Sequence, residues 1–91
     1  MAKIYSKEWN GTLIEVKNES NRAELIINGR TVDFIKGYFL KVGENDYMHG
    51  YDGENHVEVR LVEKGALIFK HVSCEFYYNG RKIYECSLSP L

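Results

Sequence analysis

Two histidines, His49 and His56, flank an Asp52-Gly53 dipeptide. Imidazole nitrogens are ligands for zinc and copper. If Asp52-Gly53 is the tip of a hairpin, the pairing it sets puts His49 directly opposite His56 on one face. Glu58 then lies two residues along that face, with Tyr47 opposite it. A metal centre needs three or four ligands, and the sequence has no recognised metal motif around these residues. The plain alternative is an exposed polar pair beside a turn.

The two cysteines, Cys74 and Cys86, bracket an Asn79-Gly80 dipeptide. They form no C-x-x-C motif and no cysteine–histidine signature. The register set by an Asn79-Gly80 turn leaves them one residue out of step, on opposite faces of the hairpin. A disulfide would require the register to slip or a bulge to intervene. Cys74 reads as a small core residue, the common fate of a free thiol, and Cys86 as part of an exposed tail, with a redox role the minor alternative.

Other reactive constellations are missing. The sequence contains no G-x-S-x-G, no P-loop, no H-E-x-x-H and no G-x-G-x-x-G. Gly50-Tyr51-Asp52-Gly53 lies in a turn with no helix after it to receive a phosphate. Glu24 and Glu75 read as solvated outer-face residues. The expectation is a non-enzymatic protein that needs no cofactor.

The elements that must carry these residues are strands. Apolar and polar residues alternate, β-branched and aromatic types are prominent, and no helix-length window has a 3.6-residue apolar period. Asn28-Gly29, Asp52-Gly53 and Asn79-Gly80 each sit between alternating runs, the strongest short-range hairpin signal. Glu63-Lys64-Gly65 reads as a fourth turn, a three-residue loop with Gly in the left-handed position.

These turns fix registers. Around Asn28-Gly29, Leu25 should face Val32, Ala23 should face Phe34, and Glu24 should face Asp33. Around Asn79-Gly80, Phe76 should face Ile83, and Tyr77 and Tyr84 should share the opposite face. Around Glu63-Lys64-Gly65, Leu61 should face Leu67, Val59 should face Phe69, and Glu58 should face Lys70. Leu67, Phe69 and His71 then fall out of phase with Cys74, Phe76 and Tyr78, since the side-chain period along a strand is two. A bulge near Val72-Ser73 would resolve the conflict and let the strand pass between sheets. The expected fold is therefore all-β: a small antiparallel β-sandwich or partly open barrel of consecutive hairpins. It is one domain over residues 1–91, with 86–91 a loose tail.

The segments Ala23–Val32 and Cys74–Ile83 align with each other, with Glu, Asn, Gly and Arg identical. Turn chemistry alone explains such a match and is the preferred reading; a pseudo-twofold pair of similar halves is the bolder alternative. Two units are too few for a solenoid. The shared pattern, an acidic residue, apolar positions, Asn-Gly and a basic residue, resembles strands of the Fas apoptotic inhibitory molecule family. The resemblance implies a small all-β protein-interaction fold without known catalysis. It supplies no catalytic residues.

Seven tyrosines stand in 91 residues. Tyr77 and Tyr84 are expected out of phase with the core, as is Ile26 on the matching hairpin. Such positions suit a partner or self-association surface, because tyrosine joins an apolar body to a polar tip. Coverage of both faces of the strands would explain them equally well. Trp9, beside Asn10-Gly11, reads as a core or rim aromatic.

Composition narrows the classes. Apolar residues are 44% and charged residues 27%, with 12 basic against 13 acidic side chains. That balance argues against duplex nucleic acid as a partner, because binding to phosphates needs a basic excess. A tyrosine platform for single strands meets the same objection. No apolar run approaches the length of a membrane span, and the polar start Met1–Glu8 lacks a secretory h-region, so a cytoplasmic protein is expected. The leading functional expectation is a protein-binding module, a homodimer included, contacting partners through Tyr77, Tyr84 and Ile26. The alternative is a small-ligand or metal-binding β protein using the His49/His56 hairpin.

Overall fold

The computed structural model describes residues 3–19, 22–36, 46–65 and 71–88. They form eight strands: β1 (Lys3–Trp9), β2 (Thr12–Glu19), β3 (Arg22–Ile27), β4 (Arg30–Lys36), β5 (Asp46–Asp52), β6 (Asn55–Lys64), β7 (His71–Tyr78) and β8 (Arg81–Leu88). Every neighbouring pair is antiparallel, in two four-stranded sheets of order β1-β2-β3-β4 and β5-β6-β7-β8. The all-β fold of consecutive hairpins is thus present, as two packed sheets that do not close into a barrel. No helix among the described residues is long and apolar enough to cross a membrane.

Turn chemistry explains the hairpins. Asn10-Gly11, Asn28-Gly29 and Asn79-Gly80 all hold positive φ at both positions, the requirement of a type I′ turn, which asparagine and glycine meet with least strain. The β5–β6 loop is Gly53-Glu54 instead of Asp52-Gly53: Asp52 pairs with Asn55. Only Gly53 has positive φ there, the pattern of a type II′ turn with glycine first.

Two bulges overturn the expected registers. Ile26 pairs with Thr31 as the turn dictates, but Leu25 pairs with Asp33, leaving Val32 without a partner. Likewise Tyr77 pairs with Lys82, but Phe76 pairs with Tyr84, leaving Ile83 over. Each extra residue reverses the face of everything beyond it on its strand. Ala23 therefore faces Ile35 and Glu24 faces Phe34.

The bulge expected near Val72-Ser73 is not there: His71–Tyr78 pairs with β6 without interruption. Val59 faces Phe76, Leu61 faces Cys74 and Glu58 faces Tyr77, so the three-residue loop at Glu63-Lys64-Gly65 is replaced by a longer connection. The residues expected opposite them, Leu67, Phe69 and Lys70, lie outside the described residues. Cys86 and Leu88, placed in a loose tail by the sequence, complete β8, and Leu88 is buried.

The core lies between the sheets. Ile14, Val16, Ala23, Leu25 and Ile27 of the first sheet meet Met48, Val57, Val59, Leu61, Val72, Cys74 and Phe76 of the second. Trp9 packs at its margin. Along one edge β4 lies against β5. There the Asp33 carboxylate accepts the His49 amide (2.9 Å) and Phe34 amide (2.8 Å) hydrogens. A Cβ on Gly50 would sit 2.6 Å from Cγ2 of the bulged Val32, so only glycine lets these edges approach so closely. Along the other edge, Lys7 of β1 reaches over the Tyr84 ring of β8, 5.4 Å from its centroid.

The halves match in detail. Asn28 donates its amide to the Leu13 carbonyl (2.9 Å), and its side-chain oxygen accepts the Leu13 amide (2.9 Å). Asn79 makes the same two bonds to His56, both 2.8 Å. Val32 and Ile83 occupy the same position in their hairpins. The alignment of Ala23–Val32 with Cys74–Ile83 thus corresponds to a repeated four-stranded unit.

The repeat also exposes a mismatch. Asn18 stands where the second half has Leu61, beside Ala23 as Leu61 is beside Cys74. Asn18 is fully buried, and neither its Oδ1 nor its Nδ2 has a hydrogen-bond partner. Such a group costs about 1–3 kcal/mol in desolvation. Asn18→Leu should therefore raise stability by an amount of that order, visible as a higher Tm in a thermal melt. A lower Tm would contradict this.

Candidate functional site

The outer face of the β5–β8 sheet gathers histidines, tyrosines and charged side chains from all four strands. Alternation sends Tyr47, His49 and Tyr51 of β5 to it. From β6 come His56, Glu58 and Arg60, and from β7 come Ser73, Glu75 and Tyr77. Beyond the turn and bulge, Lys82 and Glu85 of β8 join them.

The aromatic end is fixed by a neighbouring turn. Asn79 holds the His56 backbone through its two bonds, and its Nδ2 donates to Asn55 Oδ1 at 3.0 Å. Tyr51 is directly opposite His56, with ring centroids 5.0 Å apart. His49 is opposite Glu58 instead of His56, because the turn lies one residue later than the sequence suggested. The two histidines keep a common face as diagonal neighbours, within reach of each other. His49 Nδ1 and His56 Nε2 share a hydrogen bond of 3.1 Å. Tyr47 and Tyr51 are 62% and 58% exposed, a large area of aromatic surface in water.

Arg60 links this end to the next. Its guanidinium stacks over the Tyr77 ring at 4.3 Å and its Nε donates to Glu58 at 2.8 Å. The Tyr77 hydroxyl donates to Glu75 Oε1 at 3.0 Å.

The charged end balances two opposed carboxylates. Glu75 and Glu85 are paired directly across β7 and β8, a repulsive arrangement unless cations intervene. Lys64 bonds Glu85 at 2.8 Å and approaches Glu75 at 3.4 Å. Lys82 reaches Glu75 at 3.2 Å and also contacts Glu85 closely. Ser73 Oγ donates to Glu85 at 2.8 Å. The Lys64 bond, then those from Lys82 and Ser73, pull the Glu85 carboxyl down to about 2. Burial alone would raise Glu75, but its bonds from Lys82, Tyr77 and Lys64 outweigh that and lower it.

The expected contact residues do not come together. Tyr77 is on this outer face. Tyr84 is not: the bulge at Ile83 pairs it with Phe76, and it packs edge-on against that ring (5.4 Å, 90°) between the sheets. Ile26, the counterpart of Tyr77 in the first sheet, is half-buried on the other outer surface. Among the described residues, no group of three or more His, Cys, Asp or Glu side chains could hold a metal ion. Tyr47, Tyr51 and Arg60 are on this face but are not among the contact residues expected from the sequence. Their signal was the alternation that also placed His49 and His56.

The halves share turns and bulges, yet Ser6 and Leu13 stand in the first sheet where the second has His49 and His56. The same fold forms without this chemistry, so packing does not require it here. No family model, no curated protein and no solved structure matches the chain.

Both carboxylates titrate lower in the folded state than the usual glutamate value of about 4.3. Each contribution to stability is complete above that value and is lost as pH falls through the lowered folded-state value, about 2 for Glu85. Thermal melts between pH 5 and pH 2.5 should therefore show a smaller loss of Tm for Glu85→Gln than for the wild type. Parallel curves would show that the Glu85 ion pairs do not form.

Proposed function

We propose that the chain is a non-enzymatic protein-interaction module that binds through the outer face of the β5–β8 sheet, with a second copy of itself as the first partner to test. One observation carries this reading. Tyr47 and Tyr51 lie 62% and 58% exposed on the same face as Tyr77 and Arg60. Aromatics and arginine are the side chains enriched at protein interfaces. The adjoining Glu75, Glu85, Lys64 and Lys82 cluster carries both signs of charge, as a polar rim does. The balance of 12 basic and 13 acidic residues favours protein over nucleic acid, and a cytoplasmic setting goes with this reading. Of the residues expected from the sequence, Tyr77 remains in the surface, while Ile26 and Tyr84 fall outside it.

Light scattering of the purified chain across micromolar concentrations tests the proposal. A dimer mass is expected for the wild type, and a tenfold or greater rise in dissociation constant for Tyr47→Ala/Tyr51→Ala with unchanged Tm. A wild type that stays monomeric, and captures the same proteins from its host as the double variant does, would overturn it.

A second reading rests on the histidine pair. Two imidazole nitrogens on one tetrahedral zinc, bound at about 2.0–2.1 Å, lie roughly 3.3 Å apart, close to the 3.1 Å between His49 Nδ1 and His56 Nε2. The two rings could share a metal ion after small rotations. Calorimetric titration with zinc should then give heat that His56→Ala abolishes. No heat at micromolar concentrations would end this reading.

A further inference from the structure

Cys74 and Cys86 are directly opposed across β7 and β8. The Asn79-Gly80 turn alone would have separated them to opposite faces. The unpaired Ile83 restores them to a single face, the one turned toward the core. Cα atoms of directly opposed antiparallel residues are about 4.5–5.5 Å apart, inside the range of about 4.4–6.8 Å that a disulfide spans. The register thus puts the two Cα atoms within the span of a disulfide.

Their environments differ in a way that assigns roles. Cys74 is fully buried on a central strand, among Leu61, Phe76 and Leu88. Cys86 is half-buried on β8, the edge strand of its sheet. The Cys74 thiol donates a hydrogen bond to the Cys86 sulfur, which lowers Cys86 and raises Cys74 from their ordinary values. The less buried sulfur is therefore the one that gives up its proton more readily, the step that makes a cysteine nucleophilic. The counterpart pair in the first sheet is Ala23 and Ile35. The repeated unit folds with two carbon side chains in this place, so packing does not call for two sulfurs.

We propose that Cys74 and Cys86 form a reversible thiol–disulfide site whose co-reactant is a small-molecule disulfide of the glutathione type. The Cys86 thiolate attacks one sulfur of that disulfide. The S–S bond breaks and one thiolate leaves, taking a proton from solvent. Cys74 then loses its proton to solvent and attacks the Cys86 sulfur of the mixed disulfide, expelling the second thiolate, which is protonated in turn. Two protein thiols are oxidised to one disulfide, and one small disulfide is reduced to two thiols. The product ties edge strand β8 to β7, so it restrains the opening of that edge. The site lies between the sheets and is independent of the outer-face surface proposed above.

The test uses the native full chain equilibrated with reduced and oxidised glutathione in varying ratio. The reaction is quenched with acid, the protein alkylated under denaturing conditions and weighed by mass spectrometry. Reduced protein should carry two alkyl groups. Oxidised protein should carry none and weigh two hydrogens less than the unmodified reduced chain, as a monomer. Cys74→Ala, which places at position 74 the residue found at position 23, should accumulate the Cys86–glutathione mixed disulfide. Cys86→Ser should form its mixed disulfide at least tenfold more slowly. Two free thiols in the wild type at a large excess of oxidised glutathione, or only intermolecular disulfides, would overturn the proposal whatever the variants do.

Discussion

One unpaired residue in each half decides what this molecule presents and what it hides. Val32 on β4 and Ile83 on β8 have no partner across the hairpin. From each of them onward every side chain changes face. Without the bulge, Ile83 would pair with Phe76, Tyr84 would join Tyr77 outside, Glu85 would turn inward beside the core, and Cys86 would be parted from Cys74. With it, Glu85 meets Lys64 and Lys82 in water, while Tyr84 packs on Phe76. The outer face, its ion pairs and the thiol pair all depend on that register.

The same device in the first half serves the assembly of the sheets. Val32 lies against the bare Cα of Gly50, and Asp33 faces the β5 edge, where its carboxylate takes the His49 amide. An edge strand offers free amides that invite unwanted pairing, and Asp33 occupies one of them. The two halves thus repeat a backbone plan while using its edges differently: a close glycine contact at β4–β5 and a lysine–tyrosine contact at β8–β1. The two sheets remain separate, an open sandwich and not a closed barrel.

Much of the plan was legible in the residues. Asn28-Gly29 and Asn79-Gly80 announce their turns because few other dipeptides accept positive φ twice. Asn10-Gly11 carries the same signal. The bulges were not legible, because Val32 and Ile83 are β-branched apolar residues like those of any paired strand position. The β5–β6 register was off because Asp-Gly suggests a type I′ turn, whereas Gly53 leads a type II′ turn one residue later. The His49/His56 proximity survived that error, since the turn moved by one residue and left both histidines on the same face. Tyr84 was misplaced for the opposite reason: a single inserted residue inverts the face.

The register beyond Ile83 is the central claim, and nuclear Overhauser contacts across β7 and β8 test it most directly. Cross-strand backbone contacts should pair Phe76 with Tyr84, Glu75 with Glu85 and Cys74 with Cys86. Contacts pairing Phe76 with Ile83 and Cys74 with Glu85 would mean that the hairpin is regular, and would contradict the account.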